Sequence, residues 1–159
     1  MEKFFIVSLF LITFTFSVLA ELRGAVDSIP TWVISSWDKS FFSKRNSKTS
    51  YLNPKLITGD FNGDGNQDFA FPIENKTTHK KGFTIIHGGK VTIEIFGTGE
   101  SGKPGPEDFN WASNWFVYPM GHSIGLCNHG NCLSVEDEQG EGGILYFNGN
   151  LYEWLLWGV

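Results

Sequence analysis

Cysteine, methionine and histidine are scarce here: two, two and four in 159 residues. The four histidines, His79, His87, His122 and His129, are scattered along the chain. No His-Glu-x-x-His pattern accompanies them, so no linear signature of a zinc protease is present. Basic residues are also few. Twelve Lys and Arg against seventeen Asp and Glu give a net charge of −5, which offers no electrostatic footprint for a phosphate backbone and excludes nucleic acid as the expected partner. After the first twenty residues no long apolar run recurs, so no second membrane segment is expected. What is abundant is glycine and aromatic side chains, a balance that suits a loop-rich β-containing domain and argues against disorder.

Met1 to Ala20 reads as a secretory signal: Lys3 near the start, an apolar run from Phe4 to Phe16, then Ser17-Val18-Leu19-Ala20 with small residues where signal peptidase reads. A retained N-terminal anchor is the alternative. On the signal reading the remaining chain, Glu21 to Val159, is a single domain that keeps the charge of −5, because Glu2 and Lys3 cancel. The expected location is secreted or periplasmic, with no membrane contact after cleavage.

Thr31 to Phe42 places Trp32, Val33, Trp37 and Phe41 near helical spacing, with Pro30 suited to a first turn and Ser28 or Asp27 to a cap. Lys44 to Ser50 reads as a solvated basic loop. From Leu56 the apolar period becomes two. Phe69, Phe71 and Ile73 share one face, and Pro72 implies an unpaired side or a bulge. Residues 56 to 96 are expected to form a four-stranded meander. Thr98 to Pro106 is loop, Phe109 to Tyr118 is ambiguous, and Ile124 to Val135 suggests a hairpin bent at Asn128-His129-Gly130-Asn131. Gly143 to Phe147 and Leu151 to Trp157 flank Asn148-Gly149-Asn150, a strong hairpin signal. The expected fold class is α+β, an N-terminal helix packed on a largely antiparallel, meander-type sheet with Gly-rich loops.

One stretch carries chemistry. In Asp60-Phe61-Asn62-Gly63-Asp64-Gly65-Asn66-Gln67-Asp68 an oxygen-bearing side chain recurs at every second position. Ca²⁺ takes six to eight oxygens at about 2.3–2.6 Å. Asp60, Asn62, Asp64 and Asp68 would supply side-chain oxygens, Asn66 a backbone carbonyl, and Gly65 the sharp turn. The alternative is a metal-free turn in which Asp and Asn bond their own backbone. An EF-hand is excluded, since its twelfth position falls on Phe71, and a dockerin loop would lead into a helix where Phe69 to Ile73 alternates like a strand.

The segment Ile57 to Ala70, with its Gly-Asp-Phe-Asn-Gly-Asp-Gly core, resembles the calcium loops of FG-GAP (VCBS) repeats. That resemblance implies structural Ca²⁺ bound at Asp60, Asn62, Asp64, Asn66 and Asp68. The family repeats the motif once per propeller blade, whereas this chain has one copy, so a propeller and its adhesive functions do not follow. The layout looks more like small secreted bacterial proteins that set one such loop in a compact α+β domain.

Cys127 and Cys132 are expected to pair, given an oxidising compartment. Zinc held by His122, Cys127, His129 and Cys132 is the alternative. Trp111, Trp115 and Tyr118 are candidate contacts for a partner protein or glycan if they stand exposed together; burial is the competing reading for most aromatics, which bury large areas. Glu136, Asp137, Glu138 and Glu141 lie on a Gly-rich connection and read as solvated. Asn75-Lys76-Thr77 fits a glycosylation sequon. The function expected from these readings is a non-catalytic Ca²⁺-binding interaction module outside the cytoplasm, with an inhibitor or immunity-type factor as its specific form. A carbohydrate-binding module and a small cell-envelope hydrolase are the alternatives.

Overall fold

The structure, a computed structural model, describes residues 29–157. The signal-peptide reading of residues 1–20, and Ser28 or Asp27 as a helix cap, lie outside the described residues. Helix α1 (Thr31–Lys39) starts at Pro30, whose carbonyl accepts hydrogen bonds from the N–H groups of Val33 and Ile34 at 3.0 and 3.2 Å. A short second helix, α2 (Phe42–Arg45), leads into nine strands: β1 (Asn46–Lys48), β2 (Ile57–Gly59), β3 (Asp68–Asn75), β4 (Lys81–Ile86), β5 (Ile93–Gly97), β6 (Asn114–Tyr118), β7 (Cys132–Glu136), β8 (Gly142–Phe147) and β9 (Tyr152–Trp157).

The strands form two antiparallel sheets. In the first, β3, β4 and β5 follow in order, while β1 and β2 share the remaining edge of β3. In the second, β6 to β9 form a plain meander. The expected α+β class with a meander sheet holds, and the meander from β2 to β5 matches the segment read for it to within one residue at each end.

Pro72 shows why the first sheet has a divided edge. β2 pairs with Asp68 to Ala70 and β1 with Ile73 to Asn75, leaving Pro72 at the gap. The Pro72 carbonyl points that way, accepting the Thr49 N–H at 3.0 Å. Its missing N–H therefore falls where no ladder partner is needed.

Alternation divides the apolar residues into layers. Phe69, Phe71 and Ile73 of β3, with Ile86 and Ile95, meet Val33 and Trp37 of α1. The opposite face, with Ala70, Phe83, Ile85 and Phe96, packs against Trp115, Leu133, Val135 and Leu145 of the second sheet. The sheets are also joined through Asn53, whose N–H donates to Ser113 O while its carbonyl accepts from Trp115 N–H.

Several expectations need correction. Asn46 to Lys48, read as loop, is a strand, and α1 ends at Lys39 rather than reaching Phe42. Of Ile124 to Val135 only the second arm is a strand, and it pairs with β6 and β8. Trp115 is the largest correction. It is 2% exposed, faces Phe83 edge-on at 5.7 Å, and donates its indole N–H to Pro54 O. Its position on the inward face of β6 removes it from any surface platform.

Trp115→Ala should therefore destabilise the domain by about 3–5 kcal/mol, the usual cost of emptying a large aromatic site. Leu156→Ser, at an exposed position, should stay within about 0.5 kcal/mol of wild type. Urea midpoints of the two variants check the contrast.

Candidate functional site

The acidic loop joins β2 to β3 and is folded by its own side chains. Asp60 accepts the Asp64 N–H on Oδ1 at 3.1 Å and the Gly65 N–H on Oδ2 at 2.9 Å. Asn62 Oδ1 shares the Asp64 N–H at 3.2 Å, so oxygens of Asp60 and Asn62 converge on one point. Asp64 in turn accepts the Asn66 N–H at 2.8 Å, a bond that pulls its carboxyl below the usual carboxylate range. Gly63 and Gly65 both have positive φ, +70° and +81°, conformations that suit glycine. A Cβ on Gly63 would also collide with the carbonyl of His129.

That collision marks a clamp. The turn enclosed by Cys127 and Cys132 lies against the acidic loop, and Asn131 bonds Asp60 twice. The Asn131 N–H donates to Asp60 O, and Asn131 Oδ1 accepts from Asp60 N–H, both at 2.6 Å. Cys127 and Cys132 are disulfide-bonded, with Cα atoms 5.4 Å apart. The zinc alternative falls, because both of its sulfurs are in the bridge, and His122 instead packs on Tyr118 with ring centroids 4.5 Å apart.

Asp68 behaves differently from the other acids. It is 0% exposed, accepting the Phe61 N–H on Oδ2 at 2.8 Å and the Gly88 N–H on Oδ1 at 2.9 Å. His87 Nδ1 lies 2.9 Å from Asp68 Oδ2, though without the alignment of a directed hydrogen bond. Asp60, Asn62 and Asp64 thus form a partly exposed oxygen group of the kind a hard cation takes, while Asp68 serves the interior. Among the described residues no three His, Cys, Asp or Glu side chains gather closely enough to hold a metal by themselves. Amide and carbonyl oxygens, from Asn62 and Asn66, would have to complete a Ca²⁺ shell.

His87 was not singled out by its sequence context. It follows β4 directly, and the pairing of Phe69 with Ile86 carries it opposite Asp68. The β3–β4 hairpin register was the signal that could have found it. The His87 ring stacks on Tyr152, centroids 6.0 Å apart and 15° from parallel. Both line a cleft of about 430 Å³ between the β5 edge and the β8–β9 turn. Burial, and then the nearby carboxylates led by Asp68 and Glu94, raise the Tyr152 phenol far above its ordinary value, so it stays protonated.

The proposed aromatic platform does not assemble. Trp115 is core, Trp111 is 36% exposed beside Phe109, and Tyr118 packs on the outer face of the second sheet with His122 and Trp157. Trp111 instead joins Trp154, Leu156, Pro104 and Pro106 around an open groove of about 900 Å³ beside β9. The sequon is closed: Asn75 is buried, its amide nitrogen bonds Thr98 O at 3.2 Å, and its oxygen accepts Thr77 and Thr78 N–H.

No family model, curated protein or solved structure matches this chain.

Removing the bridge with Cys127→Ala and Cys132→Ala should cost about 2 kcal/mol, since it closes a short loop. Asn131→Ala should cost about 1 kcal/mol through the lost side-chain acceptor. Asp68→Ala should cost more, about 3–5 kcal/mol, because buried partners lose their charge-bearing acceptor. Denaturant titrations rank the three.

Proposed function

We propose that this protein is a non-catalytic, Ca²⁺-steadied binding module of the secreted or periplasmic space, which takes an extended segment of a partner protein along β9. The observation that carries the reading is the open groove beside that strand. Trp111, Trp154 and Leu156 line it together with Pro104 and Pro106. β9 pairs only with β8 among the described strands, so it offers one free edge of backbone donors and acceptors. An added strand would use that edge for hydrogen bonds and the groove for side chains. Lys103 and Glu153 at the rim supply charge of both signs. Such a surface suits an inhibitor or immunity-type factor.

Calcium belongs to the proposal as a structural ion, with the FG-GAP-like loop as its seat. Asp60, Asn62, Asp64 and the Asn66 carbonyl would hold it, with Asp68 contributing by fixing the loop's base. An ion there would offset the repulsion between Asp60 and Asp64. The disulfide agrees with an oxidising compartment.

One observation favours the hydrolase alternative: the cleft brings His87 beside a buried carboxylate, with Glu94 in the same lining. Against it, His87 is 3% exposed, and its Nε2 faces the protonated Tyr152 hydroxyl at 3.4 Å. His87→Gln abolishing a turnover of envelope polymers would establish that alternative.

Calorimetry should register one Ca²⁺ per chain. At a hundredfold excess over Kd the gain in stability should be about 2.7 kcal/mol, and Asp64→Ala should remove most of it. Identical melting in calcium and in chelator would defeat the metal reading. Leu156→Ser, at an exposed position in the groove, should weaken partner binding at least about tenfold while stability stays within about 0.5 kcal/mol of wild type. A partner that protects the amides of β9 from hydrogen exchange supports strand addition; protection confined elsewhere rejects it.

A further inference from the structure

The groove beside β9 ends at the loop Gly102–Pro104, and on the other side of that loop lies the separate 430 Å³ cleft. Its volume is within the roughly 300–1,000 Å³ typical of small-molecule sites. We propose that this cleft is a binding site for an uncharged sugar ring.

The cleft has an aromatic side and a polar side. Tyr152 and Phe147 stand together, ring centroids 5.3 Å apart and inclined at 59°, and Tyr152 is backed by the stacked His87 ring. Aromatic faces of this kind accept the apolar C–H face of a pyranose, since each offers a rigid apolar body, and Tyr152 adds a polar tip. Thr92 and Glu94 come from the β5 side, and Asn150 from the β8–β9 turn. A sugar hydroxyl is donor and acceptor at once, and so requires neighbours of both kinds. Thr and Asn supply both roles, and carboxylate oxygens accept. Among the described residues the side chains of Thr92 and Asn150 make no hydrogen bond to the protein, and Glu94 uses only Oε2, on Lys103 at 2.8 Å. These groups remain available.

Charge selects against anions. Asp68 lies buried behind His87 and Glu94 stands in the wall, while the cleft's one lysine, Lys103, is already paired with Glu94. Burial, and then the same carboxylates, keep Tyr152 in its protonated form, with its hydroxyl 3.4 Å from His87 Nε2. A phosphate or a uronic acid would find no free cation to balance it, because Lys103 is taken up by Glu94, and would lie near the buried Asp68 carboxyl. A neutral polyol needs no such cation. Sugar binding here requires neither a partner on β9 nor an ion in the acidic loop, although Asn62 of that loop and Tyr152 of β9 both line the cleft.

The test is an NMR titration of the ¹⁵N-labelled chain with glucose, galactose and N-acetylglucosamine, and with glucuronate as the anionic control. Saturable shifts of amides around Thr92, Glu94 and Asn150 are expected for at least one neutral sugar, with Kd in the roughly millimolar range of small polar ligands. Asn150→Ala and Thr92→Ala, at exposed positions, should leave the melting temperature unchanged while weakening binding about tenfold each. No saturable binding of any neutral sugar would overturn the proposal. Equal or tighter binding of glucuronate would overturn the charge argument and with it the assignment. Binding that survives both substitutions would place the sugar elsewhere and equally refute this site.

Discussion

A carboxylate buried between two sheets has to be satisfied in full, and Asp68 is that group in this protein. Its oxygens take the Phe61 N–H from the acidic loop and the Gly88 N–H from the turn after β4, with His87 alongside. Leaving such a charge without partners would cost several kcal/mol, so these segments cannot move independently. The loop's base, the start of β3, the end of β4 and the floor of the cleft are thereby one unit. Tyr152 extends it to the second sheet through its stack on His87.

The two concave surfaces follow from where the sheets end. Both sheets finish on a strand with one neighbour, β5 in the first and β9 in the second. The Gly- and Pro-rich segment between β5 and β6 crosses from one to the other. It is held by Lys103 on Glu94, and by Gly99 N–H on Glu107 O at 2.8 Å. By lying across the gap it separates an apolar groove from a polar cleft. Tyr152 borders both, so chemistry on one side and packing on the other meet at a single residue.

Features set by local order were legible in the sequence. The alternation in β3, the role of Pro72, the Asn-Gly hairpin between β8 and β9 and the pairing of the cysteines each depend on neighbours within a few residues or on one turn. The misreadings were long-range. β1 is short and polar, with only Asn46 buried, and becomes a strand because β3 lies 25 or more residues ahead to receive it. Trp115 gives no local sign of burial; its place is decided by Pro54 and Asn53, which reach β6 across about sixty residues. His87 acquires meaning only opposite Asp68. The acidic loop shows both kinds of legibility. Its alternating oxygens were evident, but the inward turn of Asp68 depends on a β4 partner that the motif does not contain.

The clamp between Asn131 and Asp60 gives the disulfide a significance that its small ring size does not suggest. Closing so few residues restricts the unfolded chain only modestly. In the folded chain, however, the bridged turn makes one backbone and one side-chain hydrogen bond with the first residue of the acidic loop. Thiol oxidation and occupancy of that loop thereby act on one shared contact. Linkage then requires reciprocity: by whatever factor the oxidised turn favours a ligand at Asp60, that ligand makes the bridge harder to reduce by the same factor.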